Sequence, residues 1–363
     1  MKKTISLFLF ICILHILPVH AQYKWFNPLN AEFPVIQNQG WTEEIGHSYV
    51  RLPQRAQSVV REAVWNLSRH SSGLSIRFYS NAPQLSVRYG VTGAYSMPHM
   101  PATGVSGVDL YAIDSDGKWN FCFGNYAFND TIQYHYNLIG KEKCPEEGFE
   151  YRLSLPLFNS VSWLEIGVPQ TSELTFIPLS PEKPIVLYGT SIAHGACASR
   201  PGMSWANIVQ RKLDYPLINL GFSGNGRLEK ELLDLIGEVD ARLYILDCLP
   251  NLGGREESEI CQLIVEAVRQ LRKKQKAPIL LVEHIGYSNA ATDTTRLLNY
   301  EKCNKASRKA YGILLSENTD KLYYLTREEL NIPADGWVDY IHPSDLGMQA
   351  QATAVERKIR EIL

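Results

Sequence analysis

The hydrophobic period of this chain changes once, at Ile177-Pro-Leu-Ser-Pro-Glu-Lys-Pro184. Its three prolines fix φ and remove backbone donors, so the stretch continues neither a helix nor a sheet. Before it, apolar and polar residues alternate. Leu74-Ser-Ile-Arg-Phe78 and Leu85-Ser-Val-Arg-Tyr89 have the two-residue period of half-buried strands. Val108 to Ile113, Leu153-Ser-Leu-Pro-Leu157 and Trp163-Leu-Glu-Ile-Gly-Val168 are further strand candidates. Asp114-Ser-Asp-Gly117 has hairpin-turn chemistry. Its two aspartates resemble the start of a calcium loop, but the Glu that such a loop needs further on is missing. Short strands at this spacing predict an antiparallel, jelly-roll-like β-sandwich over residues 22–180.

After the prolines, short continuous apolar runs alternate with helical stripes. The runs are Ile185-Val-Leu-Tyr188, Leu217-Ile-Asn-Leu220, Leu243 to Leu246, Ile279 to Val282 and Leu322 to Leu325. Trp205, Ile208, Val209 and Leu213 have helical spacing, as do Ile260, Leu263, Ile264, Ala267, Val268 and Leu271. Ser344 can cap a last helix carrying Leu346, Ala350, Val355, Ile359 and Ile362. Five such alternations predict an α/β domain over residues 181–363, with a five-stranded parallel sheet flanked by helices. Sites in such sheets form at the carboxyl ends of the strands.

Residues 1–21 read as an address. Lys2 and Lys3 precede an apolar stretch from Ile5 to Leu17, and Val19-His20-Ala21 offers small residues at the −3 and −1 positions of a cleavage site. This is the pattern of a signal peptide cut after Ala21, which predicts a secreted or periplasmic protein. Export makes disulfides possible. Six cysteines remain after Cys12 is removed, and a Cys122–Cys144 bridge competes with buried free thiols. No Cys-x-x-Cys and no His/Cys cluster with zinc spacing occurs, so no metal site is expected. With 36 Lys+Arg against 38 Asp+Glu and no basic block, nucleic acid is not an expected partner. No apolar run reaches the roughly 20 residues of a transmembrane helix.

Four motifs follow the predicted strands or lie near the C-terminus. Gly189-Thr-Ser191-Ile-Ala-His-Gly195 places a hydroxyl at a strand-to-helix turn. Asn219-Leu-Gly-Phe-Ser-Gly224-Asn-Gly226 lets backbone N–H groups approach a ligand, but it is not a nucleotide fingerprint. Asn251 in Asp247-Cys-Leu-Pro-Asn251 offers a side-chain donor. Asp339-Tyr-Ile-His342 lets one turn of backbone join a carboxylate to an imidazole. Each alone has a bland explanation: a helix cap, a turn, a turn, a loop histidine. Together they supply a nucleophile, a base with its orienter, and oxyanion donors, which is what acyl transfer requires. The order Ser…Asp…His also fits an α/β-hydrolase, but two features argue against it: the serine motif lacks the second Gly of G-x-S-x-G, and Asp339 and His342 are only three residues apart.

These four blocks resemble the SGNH (GDSL-like) hydrolase family over roughly Pro184 to Leu363. Its Gly-Asp-Ser block appears as Gly189-Thr190-Ser191, with Thr190 in place of the usual Asp. Gly224, Asn251 and the pair Asp339/His342 match its other blocks, although Asn251 follows a Pro. Gly107-Val-Asp-Leu-Tyr111 is similar to the G-x-D-L-Y signature of the β-sandwich before some secreted bacterial SGNH esterases. The resemblance implies a flavodoxin-like three-layer catalytic fold and a carboxylic-ester hydrolase. It implies Ser191 as nucleophile, His342 as base and Asp339 as its orienter. Ser191, Gly224 and Asn251 would form the oxyanion hole, and no cofactor is required. His194, one helical turn after Ser191, and Glu283, at the end of the fourth strand with His284, are possible pocket residues.

The expected substrate is an acetyl or other short-acyl ester, on a carbohydrate or a small alcohol. Trp25, Trp41, Tyr95 and Trp119 can stack on sugars or fill a core. No long apolar lid segment is evident, which disfavours long acyl chains. A lipid or thioester acylhydrolase and an inactive glycan-binding homologue are the alternatives. The loop Tyr95-Ser-Met-Pro-His99-Met-Pro can wall the site or simply cross the surface.

Overall fold

The computed structural model describes residues 22–137 and 148–363. The expected signal segment and Cys144 lie outside these residues. The strands before the prolines are β1 (Tyr23–Phe26), β2 (Ile36–Gln37), β3 (Ser75–Ser80), β4 (Gln84–Val91), β5 (Asp109–Ile113), β6 (Trp119–Cys122), β7 (Gly124–Phe128), β8 (Ile132–Asn137), β9 (Phe149–Ser154), β10 (Val161–Pro169) and β11 (Leu174–Phe176). They form two antiparallel sheets, ordered β1-β10-β4-β8-β7 and β11-β3-β9-β5-β6, with β2 paired to β3. One core joins the sheets, with Leu85, Val87, Tyr134 and Ile166 from the first meeting Ile76, Phe78, Leu110 and Leu153 from the second. This is a β-sandwich. The period of two is visible in β8, where Ile132, Tyr134 and Tyr136 are buried and the residues between them exposed. Asp114 to Gly117 is the expected hairpin turn. The Asp114 carboxylate accepts from the Asp116 and Lys118 N–H groups, and Gly117 takes φ +75°.

After the prolines come β12 (Ile185–Gly189), β13 (Leu217–Gly221), β14 (Leu243–Asp247), β15 (Ile279–Val282) and β16 (Leu322–Leu325). All pair in parallel in the order β13-β12-β14-β15-β16. Each expected strand is present to within a residue. Every residue of β12 to β15 is buried, which is why these strands read as continuous apolar runs.

Helices cover both faces. Glu257–Lys274 and Thr294–Ser316 pack on one face, through Ile260, Ile264, Val268, Cys303, Ala306 and Ala310. Trp205–Leu213 and Asp345–Ile362 pack on the other, through Trp205, Ile208, Met348, Ala352 and Val355. The helix Glu257–Lys274 carries Glu257 and Glu259 in its first turn and Arg272 to Lys274 in its last, each complementing the helix dipole.

Packing crosses the proline segment. Trp41, Leu52, Ala56 and Val64, from the first half, share a core with Val186, Tyr188, Ile218 and Leu220. Trp41 and Val64 are therefore core residues of the parallel sheet's outer layer, and Trp41 is not a sugar platform. Cys122, Cys197, Cys248, Cys261 and Cys303 are buried and form no disulfide among the described residues.

Candidate active site

The order β13-β12-β14 reverses the winding of the sheet at β12. In such folds the crevice opens at this reversal, beyond the carboxyl ends of the strands. Ser191 follows β12 and Asn251 follows β14, so both stand at that crevice.

Gly189 ends β12 because a Cβ there would meet the Ala193 methyl at 2.5 Å. Thr190 caps a single helical turn, Ser191–His194, which Gly195 closes at φ +103°. Ser191 is the first helical residue, so its N–H has no partner within the helix. Its hydroxyl lies 3.0 Å from His342 Nε2. On the other side of the ring, His342 Nδ1 lies 2.7 Å from Asp339 Oδ2. The other Asp339 oxygen accepts the N–H groups of Ile341, at 2.8 Å, and His342, at 2.7 Å. One carboxylate thus folds the Asp339–His342 loop and orients its imidazole. Partial burial pushes the Asp339 carboxyl up, but the two N–H groups and the imidazole outweigh this and hold it below the usual range. Asp339 is therefore ionised at neutral pH and accepts from Nδ1–H. That tautomer leaves Nε2 free to accept the Ser191 proton.

The glycine block lies beside the serine turn. Phe222 N–H donates to Gly189 O at 3.0 Å. Gly226 packs so closely on β12 that a Cβ would lie 2.0 Å from Gly189 O. Gly224 turns at φ +67° and faces open space. Asn251 donates to Gly226 O at 3.2 Å, which sets its amide against the same turn. Asn219 fastens β13 to the serine helix by donating to Ala193 O at 2.7 Å. Ser191, Gly224, Asn251, Asp339 and His342 are thus gathered at one edge of the sheet.

His194 and Glu283 are not part of this group. His194 is fully buried and stacks on Phe158 at 4.1 Å, with His70 5.4 Å away, so its side chain leaves the helix toward the first half of the chain. Burial and nearby Arg51 hold its pKa well below the ordinary value, so it is neutral. Glu283 is also fully buried. Arg308 at 2.6 Å, the Tyr324 hydroxyl at 3.0 Å and the Arg327 N–H at 2.8 Å take up its oxygens. It holds β15, β16 and a helix together. His284 is buried beside it, and its Nδ1 accepts from Gly286 N–H.

The first half makes three contributions, of which sequence reasoning missed Arg51 entirely. The loop Tyr95–Pro101 reaches the site, where the His99 ring stacks on His342 with centroids 5.8 Å apart and planes at 19°. Arg51 is buried, without a carboxylate partner among the described residues. It donates to the carbonyls of Leu67, His70, Asn219 and Gly221, and so ties the first half to the carboxyl end of β13. Burial lowers its pKa to about 9. Last, the Gly107-x-Asp109-Leu-Tyr111 segment grips residues 200–202. Asp109 accepts from Arg200 at 2.7 Å and from Gly202 N–H at 2.6 Å, and the Tyr111 hydroxyl accepts from Arg200 at 2.9 Å. Ser199, next to Arg200, donates its N–H to Asp345 at 2.9 Å, three residues beyond His342.

The fold is a three-layer α/β domain preceded by a β-sandwich. Residues 182–360 match the GDSL-like lipase/acylhydrolase family, and residues 23–174 match the N-terminus of SGNH-hydrolase-type esterases named for GxDLY. The chain belongs to this family. It is similar to a protein from Bacteroides ovatus described as a GDSL-like lipase, with 29% identity and a TM-score of 0.84, covering 94% of this chain and 98% of that one. A salicylyl-acyltransferase from a tetracycline biosynthetic pathway shares the fold, with 18% identity, a TM-score of 0.69 and coverage of 93% and 97%. So does a family two carbohydrate esterase from Cellvibrio japonicus, with 12% identity, a TM-score of 0.52 and coverage of 94% and 98%. No curated protein matches the chain.

Proposed function

We propose that this protein is an exported serine esterase that removes acetyl or other short acyl groups from a carbohydrate. The observation that carries this reading is the hydrogen-bonded line Ser191–His342–Asp339, 3.0 Å and 2.7 Å long, at the carboxyl edge of the parallel sheet.

The chemistry follows from the geometry. Ser191 Oγ attacks the ester carbonyl as its proton passes to His342 Nε2. The carbonyl π electrons move to oxygen, and the oxyanion is met by the Ser191 and Gly224 N–H groups and the Asn251 amide. Asp339 stays ionised and stabilises the imidazolium. The tetrahedral intermediate then expels the alcohol, which takes the proton from His342, and an acyl-serine remains. Water, deprotonated by His342, repeats the sequence and releases the acid.

The short-acyl preference rests on the absence of an apolar lid segment from the sequence. It also rests on the imidazole of His99, a polar group lying over His342. The carbohydrate rests on the signal-like pattern of residues 1–21 and on the fold shared with a carbohydrate esterase. Hydrolysis of p-nitrophenyl esters from acetyl to octanoyl, together with acetate release from acetylated polysaccharides, tests the reading. A rate that peaks at acetyl supports it. A peak at octanoyl would make the protein a lipid acylhydrolase instead, and binding to glycans without hydrolysis would make it a binding protein.

A further inference from the structure

We propose that His99, Cys197 and His342 form a binding site for a zinc-like transition-metal ion, and that its occupation switches the serine site off. One ligand atom from each residue lies within 4.8 Å of the other two. The three come from separate segments: the loop of the first half, the turn after the serine helix, and the Asp339–His342 loop. That is why no metal-ligand spacing is visible in the sequence.

The donor set selects the ion. Two imidazoles and a thiolate suit zinc and its neighbours, whereas calcium and magnesium require oxygen. Ligand atoms around a tetrahedral zinc are about 3.3–3.8 Å apart, given bonds of roughly 2.0–2.3 Å. Binding therefore draws the three side chains together by about 1 Å, with exposed His99 the freest to move. Cys197 takes φ +68°, a left-handed backbone that residues other than glycine seldom adopt and that clusters at functional sites. Its Sγ lies 3.6 Å from the His99 carbonyl, so thiol and loop are already in contact.

The arrangement around His342 also suits a ligand. Metal-bound histidines usually donate their second nitrogen to a carboxylate, which fixes the ring and raises its basicity. Asp339 does this for His342 at 2.7 Å. The same bond that makes Nε2 a base for Ser191 makes it a metal donor, and it cannot be both at once. On binding, the thiol proton passes to solvent, Cys197 Sγ and the two imidazole nitrogens bind the ion, and the Ser191–His342 hydrogen bond breaks. Exposed His99 leaves a fourth position for water.

The inhibition rests on the esterase reading; the binding does not. The test uses the full chain stripped of metal with a chelator and titrated with Co²⁺. The wild type is expected to show visible d–d bands and the near-ultraviolet thiolate-to-cobalt band. Zn²⁺ should displace the cobalt and stop ester hydrolysis, whereas Ca²⁺ and Mg²⁺ should do neither. Cys197→Ser should lose the thiolate band, and His99→Ala should weaken Zn²⁺ binding at least about tenfold. Ser191→Ala, which removes the competing hydroxyl, should bind Zn²⁺ at least as tightly as the wild type. Absence of the thiolate band in the wild type, or equal Zn²⁺ affinity in wild type, C197S and H99A, overturns the site. Hydrolysis by S191A at the wild-type rate would overturn Ser191 as the nucleophile instead, and the cobalt spectrum would still report on the metal.

Discussion

Asp109, on a sandwich strand, accepts a 2.7 Å hydrogen bond from Arg200, nine residues after Ser191. Asp109 is almost fully buried, and the same oxygen accepts from Gly202 N–H. Burial pushes its carboxyl up, against the pull of Arg200 and that N–H. The pair fixes the Ser199–Gly202 segment, and Ser199 in turn holds Asp345 beyond His342. The sandwich therefore sets part of the frame of the site.

Removing one partner of this pair leaves a buried charge uncompensated. Asp109→Ala should cost about 3 kcal/mol of stability. Thermal unfolding measures the loss, and a double-mutant cycle with Arg200→Gln isolates the pairwise part. A coupling near zero would show that the segment is held by its other contacts.

Asn251 places its amide against the glycine turn without belonging to the Ser191–His342–Asp339 line. Asn251→Ala should lower kcat about 10²–10³-fold, with KM little changed and the fold intact. Steady-state kinetics on p-nitrophenyl acetate decides this. An unchanged kcat would remove Asn251 from the oxyanion hole.

Asp247 ends β14 fully buried, and the Gln351 amide, 3.5 Å away, gives it little support. Burial pushes its pKa up to about 7 from an ordinary 3.8. A raised carboxylate pKa means that the folded state holds its proton more tightly than the unfolded chain does. This group therefore costs nothing below pH 4. Its cost grows as pH rises through 4 and is complete above 7. Asp247→Asn should stabilise the protein by up to about 4 kcal/mol at pH 8 and by almost nothing near pH 4. Chemical denaturation at the two pH values tests the sign. Equal effects at both would mean that Asp247 titrates normally.

The parallel sheet was legible because strands buried on both faces leave unbroken apolar runs. The helix Glu257–Lys274 was legible because one apolar stripe meets the sheet. The helix Thr294–Ser316 was not, because its buried face is made of small or polar residues, Cys303, Asn304, Ala306, Ser307 and Ala310, with Leu314 its one large apolar side chain. In the site, the serine turn and the Asp339–His342 loop are local motifs, readable from residues close in sequence. Arg51 is not, and for His99 and Gly226 the motifs were visible but not what they touch. Arg51 acts on carbonyls more than 160 residues away. Gly226 is required only because Gly189 O lies where its Cβ would be. His194 was misplaced for the opposite reason. Helical spacing put its backbone near Ser191, but spacing does not say on which side of a one-turn helix a ring finds its stacking partner, here Phe158.

The central claim is that Ser191, activated by His342, is the nucleophile. Steady-state hydrolysis of p-nitrophenyl acetate by wild type and Ser191→Ala tests it most directly. The account predicts wild-type turnover and a loss of at least about 10⁴-fold in the variant, with unchanged thermal unfolding. Turnover by S191A at the wild-type rate would contradict it.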